Sequence, residues 1–501
     1  MDYILSVDIG TQGTKAAVYD RNLDVFGTGF CESRVLMSQE RGIWQEPEEL
    51  YQSVLTSIRQ AVAASGIPAG EIGGVGIDSQ MAGIMGIDEK GDPVTVYDSW
   101  LDTRCKKYVK LMEQEAEERI IEITGSPISY AHGPKILWWK HEAPDIYKKI
   151  KKFVLPHVFV VNRMTGKQGK DTYLDYTCIQ YSGFGDNKKK CWSGELLETF
   201  GIEADKLPEI VSPFETAGYL SKQAADFCGL KQGIPIAAGA GDTAASVFGA
   251  GLFGEGIILD CAGTASVLCS MVKQYRPDSR HKTMVMMRAP IDGQWYPLAY
   301  ISGGGLCIRW MRDLFDEKSY EELEKEAGKL PAGSDGLIFV PHFEGRVFPH
   351  NPYMRGSFTG LHWGHTKGHM YRAVLEGIAC EYKYYQSVLK ELFPEYGFDQ
   401  VWATGGGARS PLFLSIKSQM LKAKVTAFEQ ADTALIGSAA VAGISTGMIR
   451  DYEKVIGESR KVRQEYAAET GIGSGYEAMQ REYLETIEAL SEIYKKRGDL
   501  L

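Results

Sequence analysis

Asp8-Ile9-Gly10-Thr11-Gln12-Gly13-Thr14-Lys15 is the stretch on which the fold reading turns. The apolar run 3–7 enters it as a strand and 15–19 leaves it as a second, so its glycines mark the tip of a β-hairpin. Residues 25–31 make a third strand. Residues 47–64 carry Leu50, Val54, Ile58, Ala61 and Val62 at helical spacing, and 72–77 is an apolar strand ending at Asp78. The order β-β-β-α-β predicts a mixed sheet with helices on its faces, an α/β fold. The second half echoes the first. Residues 256–259 run into Asp260-Cys261-Ala262-Gly263-Thr264, and 265–271 return. Asp-x-Gly-Thr at 8–11 and Asp-x-x-Gly-Thr at 260–264 each open one half, which predicts duplication of a single fold unit. Small residues concentrate near 244–256, where the boundary between the halves is expected. Residues 452–498 read as amphipathic helix, with Tyr466, Tyr476, Met479, Tyr483, Ile487, Leu490 and Ile493 facing the core.

Length and composition agree with two domains. A chain of 501 residues exceeds what one core fills. A net charge of −10 with no Lys/Arg stripe argues against a nucleic-acid binder; the short basic runs 148–152 and 188–190 read as solvated surface. The N-terminus reads as a strand without a leader pattern, and no apolar run approaches the ~20 residues of a membrane span. Nine cysteines without a C-x-x-C pair suggest reduced thiols in a cytoplasmic protein, with no zinc-ligand spacing.

The chemistry is distributed. G-x-x-x-x-G-K-[ST] is absent, and Gly249-Ala250-Gly251-Leu252-Phe253-Gly254 precedes a strand where a dinucleotide fingerprint must follow one. In the first tip, Thr11, Gln12, Thr14 and Lys15 stand among glycines that permit close approach of an anion, and Asp8 is placed to hold Mg²⁺ directly or through water. Gly263-Thr264 repeats the device. Gly405-Gly406-Gly407-Ala408-Arg409-Ser410 lies between a strand at 400–403 and a helix at 411–421, giving a flat approach for a base or ribose. Asp242, in Gly241-Asp242-Thr243, reads either as a helix N-cap or as a carboxylate that accepts a proton from an attacking hydroxyl.

In this order the motifs resemble the FGGY carbohydrate kinases over nearly the whole chain, from Asp8 to about Gly447. Ile77-Asp78-Ser79-Gln80-Met81-Ala82-Gly83 is similar to the family's substrate loop and Trp100-Leu101-Asp102-Thr103-Arg104 to its W-x-D-x-R segment. Gly133-Pro134-Lys135-Ile136-Leu137-Trp138-Trp139 and Asn351-Pro352-Tyr353-Met354-Arg355-Gly356 resemble further signatures. The resemblance implies two duplicated ribonuclease H-like (actin/Hsp70-type) domains around an interdomain cleft, 1–248 binding sugar and 249–501 binding nucleotide. It implies ATP and Mg²⁺, Asp242 as general base and, with Asp8, at the metal. Thr11, Gln12, Thr14, Lys15, Gly263, Thr264 and Gly305 would line the phosphates, and Gly406, Gly407 and Ser410 the nucleoside. Gln80, Met81, Trp100, Asp102, Tyr130 and Asp242 would face the sugar.

Two positions depart from the pattern. Met81-Ala82 replaces the Arg-Glu pair of glycerol kinases, which disfavours glycerol. Xylulokinases commonly carry Met-His, so Met81 fits them and Ala82 does not; a ketopentose is expected, with gluconate, a tetritol or another polyol as alternatives. His132 is expected at the surface, or else as a polar contact in place of the one Ala82 lacks. A different class, an actin/Hsp70-like ATPase scaffold or a non-catalytic sugar sensor, shares the phosphate tips but does not require the sugar-facing set. The expected partner is a small sugar, with no nucleic acid and no membrane; a homodimer is compatible with the resemblance.

Overall fold

A computed structural model of the chain describes residues 1–39, 42–315, 319–429, 432–467 and 473–498. The predicted hairpin is β1 (Tyr3–Ile9) and β2 (Gly13–Asp20), which β3 (Val25–Glu32) extends antiparallel. β4 (Ile72–Ser79) lies parallel to β1 on its other side. β5 (Thr216–Tyr219) and β6 (Pro235–Ala237) complete the order β5-β6-β4-β1-β2-β3, and β7 (Ala240–Gly241) also pairs with β4. β1 and β4 are buried on both faces because both faces are covered. α1 (Pro47–Ser65) lies over β2 and β3.

The second sheet comprises β8 (Ile257–Ala262), β9 (Ser266–Ser270), β10 (Val285–Arg288), β11 (Trp295–Ile301), β12 (Gln400–Thr404), β13 (Lys424–Phe428) and β14 (Val462–Tyr466), in the order β10-β11-β9-β8-β12-β13-β14. β8, β9 and β11 are antiparallel neighbours, and β12 and β13 run parallel to β8. That is the arrangement of β1, β2 and β3 with β4 and β6, so the duplicated unit read from the two tips is present in both sheets. Among the described residues no helix is long and apolar enough to cross a membrane.

The helices that matter below are α2 (Lys106–Thr124), α3 (His132–Glu142), α4 (Asp242–Gly249), α5 (Gly304–Leu314), α6 (Lys367–Leu392), α7 (Pro411–Leu421), α8 (Thr433–Ser445), α9 (Tyr452–Ser459) and α10 (Gly473–Gly498). The single helix expected over 452–498 is corrected here: α9 and α10 flank β14, which pairs antiparallel with β13. Tyr466 therefore sits at a sheet edge, and Ile493 is exposed while Tyr476, Met479, Tyr483 and Ile487 are buried. Residues 468–472 of that stretch lie outside the described residues.

α8 lies in sequence between β13 and β14 of the second sheet but packs against β1 and β4 of the first and against α4. Its residues Gly437, Ser438, Ala439 and Ala440 suit that role, because the backbones nearly touch. A Cβ on Gly437 would stand 1.9 Å from the Ala245 carbonyl oxygen, and one on Gly249 would stand 2.0 Å from that of Thr433. Gly to Ala inside a helix ordinarily gains about 1 kcal/mol. Here Gly437→Ala is expected to lower the melting temperature, because the added carbon meets rigid backbone; a raised or unchanged melting temperature in thermal denaturation would show that the helices have room to part.

Candidate active site

β1, β4 and β7 end side by side. Asp8 on β1 is in register with Asp78 on β4, and Asp78 with Ala240 on β7, so Asp242 follows two residues further on. Asp78 has no exposed surface. Its Oδ2 accepts from Ser438 Oγ on α8 (2.5 Å), and its side chain shares a hydrogen bond with Asp8. Burial and the adjacent Asp8 push Asp78 well above the ordinary carboxylate range. Burial raises Asp8 as well. Asp242 is pushed up to about 7 by burial and then by the charge of Asp8. The N-cap reading of Asp242 is corrected: Gly241 holds the cap position, and Asp242 is the first helical residue. Its Oδ1 accepts from the N–H (2.5 Å) and hydroxyl (3.1 Å) of Thr243.

A buried polar chain braces this edge. Ser79 Oγ meets His157 Nδ1 (2.7 Å), and His157 Nε2 meets Asp175 Oδ2 (3.1 Å). Asp175 Oδ1 accepts from the N–H and hydroxyl of Thr177, and Thr177 Oγ1 accepts from Gly241 N–H (3.0 Å). Ser, His and Asp here have the composition of a hydrolase triad, but all three are sealed from solvent. Their contact with Gly241 fixes the backbone that carries Asp242. Sequence reading missed Asp78, His157, Asp175 and Thr177; only Asp78, at a strand end beside the substrate loop, left a local signal.

At the first tip Thr11 lies at the junction of two predicted sets. Its hydroxyl donates to Gln80 Oε1 (3.0 Å) and accepts from Trp100 Nε1 (3.0 Å), and Gln80 Nε2 donates to Gln45 Oε1 (2.8 Å). Gln12 is exposed. Lys15 stands opposite Asp8 across the hairpin and pairs with Asp432 at 2.6 Å. Thr14 is turned away from the tip: it is fully buried and its hydroxyl bonds Ser53 on α1 (2.7 Å).

Met81 lies on the backbone that carries Asp242; a Cβ on Gly241 would stand 2.4 Å from its Cγ. His132 is buried, correcting its expected surface position. Its Nε2–H donates to the Met81 carbonyl (2.6 Å), and burial lowers it to about 4. Ala82 is partly exposed and carries no polar group. Asp102 is 2% exposed and its carboxylate is engaged by the backbone N–H and Nε of Arg104 (2.8 Å each) and by Ile43 N–H (3.3 Å), contacts of a positioning group more than of a sugar-facing one. Arg104 also clamps Asp98 (2.7 Å). Lys135 Nζ ties the Asp102 carbonyl (2.9 Å) to that of Tyr130 (2.5 Å).

The second set of turns converges on the end of β8. A Cβ on Gly305 would stand 2.0 Å from the Gly263 carbonyl oxygen, and one on Gly407 would stand 2.5 Å from Ala262 Cβ. Leu306 N–H donates to the Thr264 carbonyl (3.1 Å). Gly263, Thr264 and Gly406 remain exposed. Ser410 caps α7 through Phe413 N–H (3.1 Å), which engages its hydroxyl.

Comparison with known proteins agrees with this layout. Residues 3–249 match the model of the FGGY family of carbohydrate kinases, N-terminal domain, and residues 261–446 its C-terminal domain. The xylulose kinase of Bacillus subtilis (strain 168) is 27% identical over 461 residues, covering 91% of this chain and 90% of that one. The gluconokinase of the same organism is 28% identical over 467 residues, covering 90% and 89%. The structure of a xylulose kinase from Lactobacillus acidophilus superposes with a TM-score of 0.91 at 23% identity, covering 99% of this chain and 100% of that one. The fold is therefore two duplicated ribonuclease H-like domains of the actin/Hsp70 type.

Because Gly305 lies on the backbone of Gly263, Gly305→Ala is expected to spread the two turns and weaken ATP binding about tenfold, the scale of mild overpacking. Isothermal titration with ATP checks it; unchanged affinity in a folded variant would remove these turns from the nucleotide site.

Proposed function

This chain belongs to the FGGY family of carbohydrate kinases, ATP-dependent phosphotransferases with an alcohol acceptor, and we propose that it phosphorylates a small ketose of the xylulose type. In this reading residues 1–248 hold the sugar and 249–501 the nucleotide. The observation that carries it is Asp242: a carboxylate pushed to about 7, held by Thr243 through one oxygen and backed by Asp8. A general base works best with a pKa near the operating pH. Asp242 Oδ1 is oriented by Thr243, which leaves Oδ2 to accept the proton of a sugar hydroxyl as it attacks. Met81 packs against Gly241, the residue before Asp242, and fixes the backbone from which that carboxylate projects.

The acids also suit Mg²⁺. Asp8 and Asp242 offer hard oxygens, and Asp78, raised by burial, supports the Asp8 carboxylate through a side-chain hydrogen bond. Among the described residues no three acidic, His or Cys side chains stand close enough to hold a metal alone. Asp8 and Asp242 would therefore hold the ion together with phosphate oxygens and water, as Mg²⁺ prefers. When bound it neutralises charge on the transferred phosphoryl group.

Gluconate is the second reading, supported by a gluconokinase as similar to this chain as the xylulose kinase. Ala82 leaves selection between them to shape and to polar groups elsewhere, since a site without a matching donor rejects competitors weakly. ADP release measured across ketopentoses, tetritols, hexuloses, glycerol and gluconate decides the matter. Release stimulated by one of them in the wild type, and lowered by orders of magnitude in Asp242→Asn with ATP affinity kept, is the expected result. Release indifferent to every sugar would favour the ATPase-scaffold reading instead.

The pH dependence has a definite sign. The base acts deprotonated, and its folded-state pKa is raised to about 7, so kcat/KM is expected to fall as pH drops below about 7 and to level off above it. A flat profile between pH 5 and 7 would mean either that Asp242 is not the base or that the cation beside it keeps it ionised, and the Asp242→Asn comparison above separates the two.

A further inference from the structure

The substrate loop lacks a polar group at Ala82, and both nearby histidines of its own half are committed: His132 donates its Nε2–H to the Met81 carbonyl, and His157 spans Ser79 and Asp175. The opposite half supplies another. His350 precedes the Asn351-Pro352 signature and meets the first half at two points. Its ring stands edge-on to Tyr130 (5.7 Å between centroids), and its Nδ1–H donates to Glu113 Oε1 on α2 (3.2 Å). With Nδ1 donating to a carboxylate, neutral imidazole keeps its lone pair on Nε2. That Nε2 is buried and has no hydrogen-bond partner, although the side chain as a whole is 18% exposed. A buried polar atom left unpaired costs about 1–3 kcal/mol, and such an atom in a native protein calls for an explanation.

The loop that presents His350 is rigid. Arg346 and Asn351 exchange backbone hydrogen bonds (2.9 and 2.8 Å). Beneath them Arg346 pairs with Glu381 of α6 (3.0 Å), and Glu381 also takes His342 (3.0 Å) and the Tyr483 hydroxyl of α10 (2.8 Å). Tyr130, the residue His350 touches, is fastened through Lys135 to Asp102 in the W-x-D-x-R segment. An acceptor nitrogen is thus held in place from one half against the sugar-facing loops of the other.

We propose that His350 Nε2 accepts a hydrogen bond from a hydroxyl of the bound sugar, with Glu113 as the positioning residue that sets its tautomer and ring angle. The ligand class is a polyol or ketose, and the inference rests on the kinase reading above. It assigns sugar recognition to a residue from the half of the chain expected to bind nucleotide, so the substrate is gripped only when both halves are present around it.

The test compares His350→Phe, which keeps the aromatic edge but has no acceptor, with His350→Gln, which retains an amide near the Nε2 position. Sugar affinity is read by isothermal titration with D-xylulose and with gluconate, without ATP, and so independently of turnover; ATP affinity is read separately. The expected result is a rise in sugar Kd of roughly tenfold for Phe, substantial recovery for Gln, an intermediate rise for Glu113→Gln, and unchanged ATP affinity throughout. Unchanged sugar affinity in His350→Phe overturns the proposal. Equal losses for sugar and ATP also overturn it, since they would mean that the residue only holds the halves together. Absence of sugar-stimulated ADP release from a wild type that still binds sugar would sink the kinase reading alone. A wild type that binds neither probe would sink both.

Discussion

The register of β1 against β4 and β7 brings three carboxylates to one edge of a sheet, and the character of the site follows from that placement. Parallel strands start and end together, so residues that close their strands become neighbours across the sheet. Asp8 and Asp78 share a register position, and Asp242 opens the helix that follows β7. Like charges this close in a buried setting do not all ionise, and their titration belongs to the group. Lys15, opposite Asp8 on the hairpin, is shared between Asp432, with which it pairs, and the cluster, where its charge partly offsets the rise of Asp8. Burial and the neighbouring charges therefore raise all three carboxyls together.

The duplicated half carries the aspartate of its tip motif on the other face of its sheet. Asp260 stands two residues before the closing Ala262–Ser266 pair of its hairpin, whereas Asp8 stands one residue before Ile9–Thr14, so the two face opposite sides of their sheets; Asp260 is sealed from solvent, ion-paired with Lys417 and bonded by the Tyr382 hydroxyl (2.7 Å). A buried charge with a buried partner is tolerable; removing one partner would leave the other stranded at a cost of about 3–5 kcal/mol. The aspartate of the second tip is thus a fixed part of a core, whereas Asp8 lies beside Asp78 on the face of its sheet that α8 covers. The glycine turn that follows survives in both halves, because close approach of backbone to an anion does not depend on that acid.

Much of this was legible from residue order. The two Asp-to-Gly-Thr tips disclosed the repeat, and apolar runs gave β1 to β4 within two residues at either end. Thr14 was legible too, though the motif concealed it: Thr14, Ala16 and Val18 share one face of β2, and that face meets α1. The break over 452–498 was not, since β14 is held by pairing with β13, a contact no local pattern announces. His132 reads as polar by composition, yet its burial depends on a carbonyl 51 positions away. Ser79, His157 and Asp175 likewise meet only through the fold. Sequence resolves what neighbours in the chain decide, and these groups are decided by neighbours in space.

Thr11 illustrates how far a motif residue's role is set by such neighbours. A threonine in a glycine-rich tip suggests a hydroxyl offered to phosphate. Here that hydroxyl donates to Gln80 and accepts from Trp100, so both of its principal functions are taken up within the protein. What the tip presents to an anion is then chiefly backbone, and the side chain serves a different end. It fastens the phosphate tip to Gln80 on the substrate loop and to Trp100 of the W-x-D-x-R segment, while Gln45 Nε2 returns to the Thr11 carbonyl (3.2 Å) and closes the circuit. Displacing the substrate loop must strain this circuit, and with it the tip. Two loops 69 positions apart thereby behave as one rigid piece, which is the condition for in-line transfer between groups bound separately.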